Sequence, residues 1–204
     1  MKLALQKGVA VGAHPSLPDL LGFGRRRMNV SATEAYDMVL FQIGAVAGFA
    51  TACGGRLAHV KPHGALYNMA AKDRPLAQAI AQAVRDFDPR LVLFGLSGSE
   101  LVRAGEQAGL KTASEVFADR TYQPDGSLTP RTQADAIIHD GEASIVQVKR
   151  MIEEGKVKSL GGSDVVVRAD TLCIHGDEPN AVDFAKRIRR ALDADGVRVA
   201  PVSP

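Results

Sequence analysis

Leu57-Ala58-His59-Val60-Lys61-Pro62-His63-Gly64-Ala65-Leu66-Tyr67-Asn68 passes from four strand-like residues, through a lysine, a proline and a histidine, straight into a helical pattern. A short apolar run bounded by turn residues reads as a strand buried on both faces, and the helix after it carries the chain back toward the start of the next strand. The same unit recurs on either side. Residues 9–13 form a strand-like run, followed by a Gly/Pro/Arg loop to Asn29 and a helix over 31–52, whose start is marked by the capping-box spacing of Ser31 and Glu34. The helix after Val60 extends to about Phe87, with Pro75 marking a break or a new first turn. Strands follow at 91–96, 110–117 and 171–174, with helices over 99–108, about 141–154 and about 179–192. A polar loop fills 118–132, a Gly/Ser-rich turn region precedes the fifth strand, and an apolar run at 197–199 comes last. Residues 1–7 resemble the final turns of a helix stopped by Gly8. Strands alternating with helices predict parallel pairing in one α/β domain spanning 1–204.

The residues after each strand carry the chemistry. The strand ends read Gly12-Ala13-His14-Pro15, Val60-Lys61-Pro62-His63, Gly95-Leu96-Ser97-Gly98, Ser114-Glu115-Val116-Phe117-Ala118-Asp119-Arg120 and Cys173-Ile174-His175-Gly176-Asp177. Active sites of (β/α) barrels and doubly wound sheets lie at the C-terminal ends of the strands. In an open sheet only the strands beside the switch point would carry such groups, so their even spread favours barrel-like closure. His14, His63 and His175 share this position, and imidazole suits both proton transfer near neutral pH and metal binding. His59 and His139 lack the context and are read as structural.

No local zinc motif is present, so a metal site would have to be assembled from separate strand ends, with Glu115, Asp119 and Asp177 as oxygen ligands. The stretch Gly105–Thr112 only resembles a phosphate loop: it has three residues between its glycines and runs from a helix into a strand. Arg25, Arg26 and Arg27 offer bidentate donors to a carboxylate or phosphate, with a solvated basic loop as the alternative. The long loop carries Arg120, Tyr122 and Arg131, which read as a lid over an anionic substrate, while Pro124-Asp125-Gly126 is a turn signal by itself.

Composition narrows the class. At 204 residues with 46% hydrophobic and 24% charged, the chain has enough apolar content for a packed core and is not of the disordered type. A formal charge of +2, without a long like-charge block, and 5% aromatics without Trp argue against nucleic-acid binding. Two cysteines, Cys53 and Cys173, are too few for a disulfide framework and fit a reducing cytoplasm. No targeting or membrane segment is read: the most apolar stretch, 38–54, contains Gln42 and three glycines and is expected to be a buried amphipathic helix.

The stretch Gly12-Ala13-His14-Pro15-Ser16 with Pro18-Asp19 and Gly22-Phe23-Gly24-Arg25-Arg26, then 60–68, then Ser114–Arg120 with Asp125-Gly126 and Pro130-Arg131, and finally Cys173–Asp177, closely resemble the LamB/YcsF family. The resemblance implies a seven-stranded (β/α) barrel related to the glycoside hydrolase and polysaccharide deacetylase folds. It also implies the activity of a 5-oxoprolinase A subunit, which works with subunits B and C. The reaction opens 5-oxo-L-proline to L-glutamate while ATP, with Mg²⁺, becomes ADP and phosphate. On that basis His63 or His175 is the general acid/base, with His14 in the same catalytic group. Glu115 and Asp177 orient them or hold a cation, and Lys61 with Arg120 or Arg131, beside Tyr122, meets the substrate carboxylate.

Family members carry an acidic strand motif and a His/Asp strand motif ahead of the Gly-Ala-His-Pro strand, and neither occurs here. At roughly 30 residues or fewer per βα unit, about 40 to 60 residues of the family pattern are not in this sequence. The expectation is a barrel lacking its first two strands, with residues 1–7 as the remnant of a helix. Two other readings remain: a metal-dependent hydrolase of the carbohydrate deacetylase type, and a non-catalytic binding subunit.

Overall fold

The computed structural model describes residues 1–176 and 181–202. It comprises two compact units, Met1–Ala113 with the residues from Pro201 onward, and Ser114–Ala200.

The first unit opens on helix α1 (Lys2–Gln6), which ends where Gly8 takes φ 66°, the left-handed conformation that glycine adopts at least cost. Strand β1 (Val11–Ala13) leads to α2 (Ala32–Ala52), whose capping box is complete: Ser31 Oγ accepts from the Glu34 amide, and the Ser31 amide donates to the Glu34 carboxylate. Strand β2 (Leu57–Val60) is followed by two helices, α3 (Gly64–Ala70) and α4 (Arg74–Phe87). The break comes where the sequence places it, with Asp73 accepting from the Leu76 amide and Pro75 in the first turn of α4, where its missing N–H costs nothing. Strand β3 (Val92–Leu96), helix α5 (Glu100–Gln107) and the first residues of β4 (Thr112–Phe117) complete the unit. Pairings β1–β2 and β2–β3 are parallel. Val39 and Ile43 of α2 are fully buried in one core with Ile80 and Val84 of α4 and Leu93 of β3. Each such side chain stabilises the fold by about 1.5–3 kcal/mol relative to exposure.

Helix α2 departs from expectation. It is apolar nearly all round and long enough to cross a membrane by length and composition. Only one face, Ala35, Val39, Ile43 and Ala50, is buried, while Phe41 and Phe49 are 75% and 69% exposed.

In the second unit, β4 pairs in parallel with β7 (Thr171–Cys173), Glu115 opposite Thr171 and Phe117 opposite Cys173. Helices α6 (Gly141–Glu153) and α7 (Ala181–Ala194) bury Val148, Ile188 and Leu192 against Ala118. Two short strands not expected from the sequence, β5 (Lys156–Lys158) and β6 (Asp164–Val166), form an antiparallel ribbon where the Gly/Ser-rich stretch was read as turns. The apolar run at 197–199 forms no strand, and Val197 instead packs beside α7, its amide on the Leu192 carbonyl. The large sheet has the strand order β1-β2-β3-β4-β7. Five strands alternating with helices make the α/β class that the sequence indicates.

Candidate functional site

Each unit gathers its polar groups where its parallel strands end. In the first, the ladder between β1 and β2 continues past both strands: the Lys61 amide donates to Ala13 O at 3.0 Å and the His63 amide to Pro15 O at 2.8 Å. That register delivers His14 and His63 side by side. His14 Nδ1 lies 2.5 Å from Lys61 O, His14 Nε2 lies 3.0 Å from His63 Nδ1, and His63 Nε2 lies 2.8 Å from Phe23 O. The rings meet edge to face at 4.8 Å. Loss of solvent around the ring, reinforced by the positive charge of Lys61 and by the neighbouring His63 and His59, lowers the His14 pKa to about 4.

The loop that supplies Phe23 is built for close approach. The Asp19 carboxylate accepts from the amides of Gly22 and Arg26 and from the Arg26 guanidinium, and the guanidinium bond foremost holds its pKa down to about 2. Phe23 itself has φ 54°, a conformation that is costly for a residue with a Cβ. Gly24, at φ 67°, lies so near that a Cβ there would stand 1.8 Å from Ser16 Oγ and 3.1 Å from His63 Cδ2. Its carbonyl accepts the Ala65 amide at the start of α3. His59, expected to be structural, stacks on Phe94 at 4.5 Å and covers Gly12, where a Cβ would stand 2.2 Å from its Nε2. His139 is exposed and away from these contacts.

In the second unit, His175 follows β7 and Asp119 follows β4, and Nδ1 of the histidine lies 2.7 Å from Asp119 Oδ2. Burial pushes the Asp119 carboxyl up, but the bond to His175 and the charge on that ring leave it below the usual carboxylate range. Its other oxygen, Oδ1, is buried and has no hydrogen-bond partner among the described residues. The His175 ring stacks on Phe117 at 5.9 Å, which fixes its plane. A carboxylate holding Nδ1–H leaves Nε2 as the basic nitrogen. Glu115 is buried on β4. Burial raises the Tyr122 phenol pKa, and the nearby Glu115 carboxyl adds to the rise.

The lid expected from Arg120 and Tyr122 is not found. Arg120 is 4% exposed and donates from Nε to Ala136 O at 3.0 Å and from Nη2 to Thr129 O at 2.5 Å, so its guanidinium ties the loop together from inside. Burial lowers its pKa to about 10, with nearby Arg131 adding to the effect. Tyr122 is fully buried, and its hydroxyl accepts the Phe117 amide. Of the three loop residues only Arg131 is exposed. Asp177 lies outside the described residues.

Sequence reasoning underrated Asp119, which it weighed only as a metal ligand, although its place in the strand-end motif matches that of the histidines. It also missed the Phe23 carbonyl, which no side-chain pattern announces. Among the described residues, no group of three or more His, Cys, Asp or Glu is placed to hold a metal ion. The stretch resembling a phosphate loop is a helix end: Gly109 takes φ 75° after α5, and its amide bonds back to Glu106 O.

A relative from Bacillus licheniformis, named as the A subunit of 5-oxoprolinase, is 61% identical over 203 residues, covering 100% of this chain and 80% of the relative. The Bacillus subtilis protein of the same name is 60% identical over 201 residues, covering 98% and 78%. The crystal structure of the lactam utilization protein from Thermus thermophilus superposes with a TM-score of 0.90 at 49% identity, over 98% of this chain and 80% of that one. The profile of the LamB/YcsF family matches residues 1–204 from end to end, and the chain belongs to that family.

Proposed function

We propose that the chain is the A subunit of an ATP-dependent 5-oxoprolinase. What supports the reading is similarity over the whole chain to proteins of that name, together with a part-buried Asp119–His175 pair at the strand ends. The reaction consumes 5-oxo-L-proline, ATP and two waters and yields L-glutamate, ADP and phosphate. The lactam amide is resonance-stabilised and unstrained, so water attacks it only after the amide oxygen has been made a better electron sink, as phosphorylation by ATP would make it. With no phosphate loop in this sequence, that step is assigned to the partner subunits B and C, acting in the cytoplasm with Mg²⁺ on the nucleotide.

The task left to this chain is the handling of water. His175, its Nδ1–H held by Asp119, presents Nε2 to take a proton from the attacking water and return it to the leaving nitrogen. His63 is less suited to this, because both of its ring nitrogens are occupied. Arg131, exposed on the same unit, supplies the cation for the substrate carboxylate. The test is glutamate release from 5-oxo-L-proline and ATP by the chain assembled with subunits B and C. Omitting this chain should abolish turnover, and His175→Gln should lower it at least ~100-fold with assembly intact. Full turnover without the chain, or with the variant, would refute the reading.

A further inference from the structure

We infer that His14 and His63 share one proton between their facing nitrogens, so that the two rings together carry three N–H protons and a single positive charge. The argument is an accounting of donors and acceptors. A backbone carbonyl can only accept, so the nitrogen on Lys61 O must be His14 Nδ1–H, and the nitrogen on Phe23 O must be His63 Nε2–H. A neutral imidazole has one N–H, and both would then be spent outward. The facing nitrogens, 3.0 Å apart, would be two lone pairs pointing at one another. Four protons would set N–H against N–H at the same distance. Three protons satisfy every contact: Phe23 O accepts from His63, His63 Nδ1–H donates to His14 Nε2, and His14 Nδ1–H donates to Lys61 O.

The surroundings set which ring holds the extra proton. Loss of solvent around the His14 ring disfavours its protonated form, and Lys61 and His59 on the β2 side add to the opposition. Arg25 lies over the Phe23 ring at 5.6 Å, and the one carboxylate of the loop, Asp19, is taken up by Arg26. His14 is therefore the acceptor and His63 the donor. His63 is a positioning residue: its two N–H groups hold Phe23 in its left-handed turn on one side and the His14 ring on the other.

The inference does not depend on the reaction, so the test needs no activity. In the full chain labelled with ¹⁵N-histidine at pH 7, long-range proton–nitrogen correlation should find three protonated ring nitrogens in the pair, one bare nitrogen on His14, and a coupling through the hydrogen bond between His63 and His14. Two bare facing nitrogens, or four protonated ones, would overturn it. In His14→Ala the coupling should vanish and His63 should fall to one N–H at the same pH. If His63 stayed doubly protonated there, sharing would not be the cause and the inference would fail.

Discussion

Replacing Tyr122 by Phe separates a structural hydroxyl from a substrate-binding one. The side chain is 0% exposed, and its oxygen accepts the Phe117 amide at 2.9 Å, next to the end of β4. The substitution keeps the ring and its packing and removes only the oxygen to which the Phe117 amide donates. Losing one partner of a buried hydrogen bond costs about 1–3 kcal/mol. For a chain of this size each kcal/mol lowers the melting temperature by about 2–4 °C, so a fall on the order of 5 °C is expected. Urea unfolding followed by far-ultraviolet circular dichroism reads the loss directly, as a shifted midpoint at unchanged slope. In the assembled enzyme the KM for 5-oxo-L-proline should not move, because the hydroxyl faces the backbone. An unchanged midpoint together with a raised KM would refute this placement and restore Tyr122 to the substrate.

Asp119→Asn keeps the shape but not the charge that holds His175, and turnover should fall by ~100-fold or more with KM little changed. In the same variant the acid limb of stability should weaken: a carboxyl whose pKa is depressed in the fold contributes above its unfolded value, and the contribution is lost as pH falls through the folded one. The Asp19 carboxyl, at about 2 against a usual 3.8, predicts stability that disappears between about pH 4 and 2. Arg26→Gln should flatten that part of an acid titration, and an unchanged curve would count against the clamp. Gly24→Ala forces a Cβ into Ser16 Oγ at φ 67° and should destabilise the fold by about 1–3 kcal/mol, with displaced His63 ring resonances as the local sign.

Much of the architecture was legible from residues close together in sequence. The Ser31–Glu34 box, Asp73 with Pro75, and Gly8 each mark a helix boundary by chemistry confined to a single turn, and the short apolar runs name the strands because parallel strands are buried on both faces. The β5–β6 ribbon escaped notice because Lys156-Val157-Lys158 and Asp164-Val165-Val166 are too short to show a period. Arg120 and Tyr122 were misread for a different reason. A long polar loop with a cation and a phenol has the composition of a lid, and only burial shows that both side chains turn inward to satisfy the backbone around them.

The sequence by itself determined the order of the strands and helices, the family, and the fact that histidines and carboxylates cluster after the strands. Which of them touch was decided by the tertiary structure. His14 meets His63 across 49 residues and Asp119 meets His175 across 56, each pair brought together by the register of two parallel strands. Capping and periodicity act over one or two turns of chain, whereas strand register is set by the packing of whole βα units. A partner's identity therefore follows from the assembled sheet and not from the spacing of the residues themselves.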